Sequence, residues 1–108
     1  MKNIFFDIDG VITIETEGWS KEEYLGRTPN KKIIPVINML YKDPNNKITL
    51  YTSRFLEDRK ITEQWLRLHR VKYHELILGK PQYDILIDDK AFKFDNLPLS
   101  IINAINKC

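Results

Sequence analysis

Ile4-Phe5-Phe6-Asp7-Ile8-Asp9-Gly10 decides how this chain is read. A short apolar and aromatic run that stops at a glycine turn predicts a strand over Ile4–Ile8, buried on both sides as strands of a parallel sheet are. Asp7 then falls at the carboxyl end of the strand, and Asp9-Gly10 opens a loop or tight turn. Asp-Gly is also an ordinary turn signal, so the reading leans on the residues further along the chain.

Outward from that strand, Val11–Ile14 suits a small hairpin arm. Residues 15–29, with Gly18, Gly26 and Pro29, read as a loop or short insert. Asn30–Tyr41 carries Ile33, Ile34, Ile37 and Leu40 at helical spacing, with Asn30 suited to cap its start. Pro35 counts against a regular first turn. Lys42–Asn46 breaks the pattern, and Ile48–Tyr51 predicts a second strand. Glu57–Leu68 predicts a second helix, with Ile61, Trp65 and Leu68 on its buried side. Leu76–Leu78 and Ile85–Ile87 read as two more short strands, and Leu99–Ile105 as a short final helix. Phe92–Leu97 shows no period. Strands alternating with helices predict an α/β fold with a mostly parallel sheet.

Length and composition bound the rest. A chain of 108 residues suits one domain, here 1–108, with a real core. It has 43% hydrophobic and 30% charged residues, a normal balance for a soluble globular protein. Lys and Arg number 17 against 15 for Asp and Glu, and the basic residues are scattered, which argues against a concentrated nucleic-acid footprint. The single cysteine, Cys108, excludes an internal disulfide and a cysteine-based zinc site within one chain. No long apolar run predicts a membrane span. The start of the chain meets Asp7 too soon for a signal peptide. A cytoplasmic protein is expected, and a homo-oligomer is left open, because a second copy would add cover.

The predicted strands end in Asp7-Ile8-Asp9, Thr52-Ser53-Arg54, Gly79-Lys80-Pro81 and Asp88-Asp89-Lys90. In a parallel sheet such ends share one edge, where open α/β folds bind ligands. Acids, a hydroxyl and a lysine converging from remote positions suggest phosphoryl transfer through a carboxylate. Hard divalent cations such as Mg2+ prefer oxygen ligands, which clustered acids supply. The ion and Lys80 would neutralise charge on the transferred group. One carboxylate would attack phosphorus, and a second would protonate the leaving oxygen and later activate water.

These residues resemble the haloacid dehalogenase-like (HAD) superfamily of phosphohydrolases. Phe5–Val11 matches its Asp-x-Asp-Gly-(Thr/Val) signature. The resemblance implies Asp7 as nucleophile and Asp9 as acid/base, with the Asp9 backbone carbonyl on the metal. It implies that Thr52 holds the phosphoryl group and that Lys80 stabilises the phosphoaspartate. Ile85–Asp89 looks like the fourth motif, with Asp88 as a Mg2+ ligand beside Asp7 and Asp9. Asp89 would bind through water or orient Lys80. Ser53, Arg54 and Lys90 are further substrate or supporting candidates. Arg54 equally suits a structural salt bridge, Lys90 a solvated surface, and Trp19, Tyr24 and Arg27 either a substrate wall or packing. His69 and His74 make a poor metal pair without a third ligand.

About 40 residues separate Asp9 from Thr52, and 27 lie between Thr52 and Lys80. Neither gap holds a folded cap, so the resemblance implies a single Rossmann-like HAD core with a small flap and no cap domain. Thr52-Ser53-Arg54, Leu78-Gly79-Lys80-Pro81 and Ile87-Asp88-Asp89-Lys90-Ala91 are similar to small HAD proteins of surface-polysaccharide and nucleotide-sugar pathways. They are more distantly similar to the phosphatase domain of polynucleotide kinase-phosphatases. The expectation is a Mg2+-dependent phosphomonoesterase acting on a small sugar phosphate or related metabolite. A nucleic-acid 3′-phosphatase and a catalytically silent binding or regulatory module are the alternatives.

Overall fold

The computed structural model describes residues 1–108. Strand β1 (Lys2–Phe6) pairs in parallel with β2 (Asn46–Tyr51), which pairs in parallel with β3 (Glu75–Ile77), giving the sheet order β1-β2-β3. Ile4 lies opposite Ile48, Phe6 opposite Leu50, and Leu50 opposite Leu76. Strand side chains alternate between faces, so these residues share one face. That face carries the core: Phe6, Ile48, Leu50 and Leu76 pack with residues of all three of the longer helices. The other face carries Phe5, Tyr51 and Ile77. Phe5 is 55% exposed, so β1 is covered on one side only, not on both as predicted. Two steps in the same direction across a parallel sheet, each right-handed, place both crossover helices on one face.

Helix α1 (Lys21–Leu25) lies within the stretch read as a loop or insert. Ser20 and Glu23 form a reciprocal capping box at its start. Helix α2 (Ile34–Tyr41) begins later than predicted, after a turn held by Asn30. The Asn30 carbonyl accepts from the N–H groups of Ile33 and Ile34, and its Oδ1 accepts from Lys32 N–H. Pro35 sits in the first turn, where its missing N–H has no intrahelical role. Helix α3 (Arg59–Leu68) follows a 3-10 turn at Leu56–Asp58. Its buried side is Thr62, Trp65 and Leu66; Leu68 is 64% exposed, contrary to expectation. The neighbours Trp65 and Leu66 set the stripe, which turns Leu68 outward. Helix α4 (Pro98–Asn106) buries Ile101 and packs Ile102 and Ile105 against the core.

Ile85–Ile87 does not form the predicted fourth strand. Ile85, Leu86 and Ile87 are 76, 51 and 90% exposed, within a stretch exposed from Pro81 to Lys93. A parallel neighbour needs a crossover of a dozen or more residues. Only the seven residues Leu78–Asp84 separate the end of β3 from Ile85. The predicted hairpin arm at Val11–Ile14 is reduced to isolated bridges of Thr13 with Asp9 and Pro29. The result is a three-stranded parallel α/β core with no discrete cap. No helix is long and apolar enough to cross a membrane.

Candidate functional site

At the carboxyl edge of the sheet, Asp7 follows β1 directly. Its Oδ1 accepts from Ile8 N–H at 2.8 Å, and its Oδ2 lies 3.5 Å from Lys80 Nζ. The chain then turns sharply. The Ile8 carbonyl accepts from the N–H groups of Val11, Ile12 and Thr13. Gly10 has φ +90°, and a Cβ there would lie 2.9 Å from Thr16 Cγ2. Glycine therefore makes the turn that presents Asp9.

Asp9 is held by two buried arginines. Arg54 donates from Nε to Oδ2 at 2.9 Å and from Nη2 to Oδ1 at 2.7 Å, a bidentate fork. Arg27 donates from Nε to Oδ1 at 3.1 Å. The remaining groups of Arg27 donate to the carbonyls of Glu17 and Gly18, which ties the insert over the site. Arg54 Nη1 donates to Thr62 Oγ1 at 3.1 Å, anchoring the fork on α3. The Tyr24 ring lies 4.1 Å from the Arg54 guanidinium carbon, a cation–π contact. Trp65 Nε1 donates to the Arg27 carbonyl at 3.0 Å. Arg54 thus forms a salt bridge, one of the two roles the sequence left open for it. Arg27 and Tyr24, left open by the sequence, join it as parts of the site's support.

Lys80 is fixed by backbone. Its N–H donates to the Thr52 carbonyl at 3.0 Å, and Gly79 N–H donates to the Arg54 carbonyl at 2.8 Å. Gly79 has φ +77°, which turns the chain so that both bonds form. Lys80 Nζ lies 5.3 Å from the Tyr51 ring centre and 5.8 Å from that of Tyr83. Thr52 is buried, and its hydroxyl oxygen accepts from Arg54 N–H at 3.2 Å. Ser53, half-buried, stands between them. On the rim, Trp19 and Phe55 form a tilted pair with ring centres 6.4 Å apart, and both are about half exposed.

Burial raises the Asp7 carboxyl above its ordinary pKa, aided by the negative charge of Asp9; Lys80 and the Ile8 N–H oppose this without cancelling it. A carboxylate that is costly to ionise is a more basic and more nucleophilic one. Burial also raises the Tyr24 phenol.

The edge gathers Asp7, Asp9, Thr52, Ser53, Arg54 and Lys80. It does not gather Asp88, Asp89 or Lys90, which are exposed; Asp88 Oδ1 accepts from Lys90 N–H at 2.6 Å. No three acidic, histidine or cysteine side chains converge on a point that would hold a metal ion. Asp9, moreover, has both oxygens engaged by guanidinium groups. That fork does not involve the Asp9 backbone carbonyl, the group expected on a metal, and of the expected set Asp7, Asp9 and Asp88 it is Asp88 that stands apart and exposed. His74 Nδ1 accepts from Ile48 N–H and His69 packs on Trp65.

No protein-family model matches the chain, and no curated protein matches it. A protein from Vibrio cholerae, known from the crystal structure of an MCSG target, shares the fold. It superposes with a TM-score of 0.74 over 99% of this chain and 98% of that one, at 24% identity. The likeness extends to a small α/β architecture and carries no activity with it.

Proposed function

We propose that this chain is a phosphomonoesterase that works through an aspartyl-phosphate. The observation that carries the reading is the Asp7–Lys80 pair at the carboxyl edge, with a second carboxylate two residues on pinned by Arg54 and Arg27. An Asp7 oxygen attacks phosphorus as the P–O bond to the leaving group breaks. Asp9, having taken a proton from solvent, passes it to the leaving oxygen. Asp9 then takes a proton from water, whose oxygen attacks phosphorus and frees Asp7 and inorganic phosphate. Lys80 stands where charge builds on the phosphoryl oxygens. The Ser53 and Thr52 hydroxyls border the same edge. Mg2+ would be held by Asp7 and the Asp9 backbone carbonyl and would neutralise charge on the phosphoryl group. The proposed substrate is a small phosphorylated metabolite such as a sugar phosphate, since the basic residues that crowd the site are consumed by Asp9 and Asp7.

The test is inorganic phosphate release, with Mg2+ and after EDTA treatment, from sugar phosphates, nucleotides, polyol phosphates and a 3′-phosphorylated oligonucleotide. Release by the wild type that Asp7→Asn abolishes is the expected result. Preference for the oligonucleotide would move the assignment to nucleic-acid 3′-ends. A folded protein that releases nothing from any of them would overturn the hydrolase reading in favour of a binding module.

A further inference from the structure

Helix α3 leaves the carboxyl edge of the sheet and returns the chain to the amino edge, where β3 begins. At that end lies an open cleft of about 400 Å³, lined by Glu63, Arg67, Arg70, Val71, Lys72 and Tyr73. None of these residues belongs to the Asp7 edge. Small-molecule sites occupy about 300–1,000 Å³.

The charges of this cleft do not balance. Arg67, Arg70 and Lys72 are exposed, and none of them forms an ion pair. Glu63, the acid of the cleft, instead lies 3.8 Å from Arg59. Three cations against one carboxylate leave a surplus of two positive charges. A phosphate monoester carries about −1.5 to −2 at neutral pH.

Arg70 holds an unusual seat. Its φ is +56°, and it follows the C-cap residue His69 of α3, the position where helices commonly end on glycine. Arg70 N–H donates to the Arg67 carbonyl at 3.1 Å, and Val71 N–H donates to the Leu66 carbonyl at 2.9 Å. These two bonds are the Schellman pair. Asn38 of α2 secures the turn: its Nδ2 donates to the Arg70 carbonyl at 3.0 Å and its Oδ1 accepts from Lys72 N–H at 2.9 Å. None of the four bonds uses the guanidinium, and glycine would fill the seat with less strain. A cation in the last turn complements the helix dipole, which accounts for Arg67. It does not account for Lys72, beyond the cap, or for an arginine in a glycine seat. Strain kept at one residue of a cleft points to use of its side chain.

We propose that this cleft is a second ligand site, which takes the phosphate monoester of a hydroxyl-bearing small molecule. Arg67, Arg70 and Lys72 hold the phosphate, and Glu63 and Tyr73 meet hydroxyls of the body. Planar guanidinium forks match phosphate oxygens two at a time, and Lys72 adds a mobile point charge. Tyr73 is half-buried against the core. Burial, then the charge of Glu63, raises its phenol above the ordinary pKa, which keeps it a donor. The ten residues of α3, about 15 Å of helix, separate this cleft from the Asp7 edge. The proposal does not rest on the phosphatase reading.

The test follows amide resonances of the 15N-labelled protein at constant ionic strength. Inorganic phosphate is titrated into the wild type. Ribose 5-phosphate and AMP are titrated into Asp7→Asn, which lacks the proposed nucleophile. Arg70, Val71, Lys72 and Tyr73 report on the cleft, and Gly79 and Lys80 report separately on the carboxyl edge. Saturable shifts are expected at the cleft, with at least one monoester binding about tenfold or more tighter than inorganic phosphate. Arg70→Gly is expected to weaken that monoester about tenfold or more, while melting at or above the wild-type temperature. Lys72→Gln is expected to weaken it as well. Shifts at the cleft that NaCl reproduces, or that survive in both variants, overturn the site. Monoesters no tighter than phosphate overturn the choice of ligand, as does a short oligonucleotide that saturates the cleft at lower concentration than either monoester. A wild type that releases phosphate from no substrate sinks the phosphatase reading and leaves these shifts as they are.

Discussion

Arg54 holds both carboxylate oxygens of Asp9, Nε on Oδ2 at 2.9 Å and Nη2 on Oδ1 at 2.7 Å, and its side chain is wholly buried. The fork fixes the direction of the Asp9 carboxylate as well as its charge. It is itself fixed, by Thr62 on one side and the Tyr24 ring on another. The arrangement links α1, α3 and the turn after β1 through a single guanidinium.

Arg54→Met removes this cation and leaves Asp9 with Arg27 alone. Breaking a buried ion pair from one side costs about 3–5 kcal/mol, and urea unfolding will show a loss of that order. Arg54→Lys keeps the charge but loses the planar fork and its reach to Thr62. It is expected to lose less stability and a large part of kcat, because Asp9 is no longer aimed. Wild-type kcat in Arg54→Lys would remove Arg54 from the positioning of Asp9.

Asp7 and Asp9 are expected to respond oppositely to neutralisation. The Asp7 pKa is raised on folding, chiefly by burial. A raised carboxyl contributes stability below its unfolded pKa and loses that contribution as pH rises through its folded pKa. At neutral pH its ionised form is thus a burden, and Asp7→Asn raises the melting temperature while abolishing turnover. The gain shrinks as acid protonates the wild-type carboxyl. Asp9→Asn instead strands two buried guanidinium groups, at a cost of about 3–5 kcal/mol. Thermal melts of both variants across acid to neutral pH check the signs. The acid limb of kcat/KM is likewise expected above the usual carboxylate range, near 3.9.

Tyr24 Oη is buried with no hydrogen-bond partner. Tyr24→Phe removes the unsatisfied hydroxyl and keeps the ring under Arg54. Its stability is expected to match or exceed the wild type by up to about 1 kcal/mol. Tyr24→Ala loses the ring, at about 3–5 kcal/mol. Chemical denaturation of the two separates a packing role from a hydroxyl role. A marked loss in Tyr24→Phe would show that the hydroxyl acts at the site.

The sequence makes the first three strand ends legible because each is an apolar run closed by polar residues. Asp7, Thr52 and Lys80 accordingly fall on one edge. The buried stripe of α3 is less legible, since Leu68 and Leu66 fit a helical period equally until Trp65 is seated. Arg27 joins Asp9 from 18 positions away through the fold of the insert, a contact no local pattern records. Ile85–Ile87 has every local mark of a strand. Its pairing depends on chain length between neighbours, which a residue-by-residue reading of propensity does not weigh.

On the phosphatase reading, Trp19 and Phe55 are expected to meet the part of the substrate that carries the phosphate. Gly18, next to Trp19, accepts from Arg27 Nη2, and Phe55 follows Arg54, so the ring pair is tethered through the chain to the two residues that hold Asp9. With the two side chains about half exposed, truncation removes little buried area, and Trp19→Ala is expected to melt close to the wild type. A ring stacked on an aromatic face contributes about 1–3 kcal/mol where the ring is a base. The variant's KM for a ring-bearing substrate should therefore rise about fivefold or more, with kcat nearly kept and KM for a small acyclic phosphate unchanged. A parallel rise for both substrates would place the pair outside the leaving-group site, and a lower melting temperature would assign it to packing of the insert.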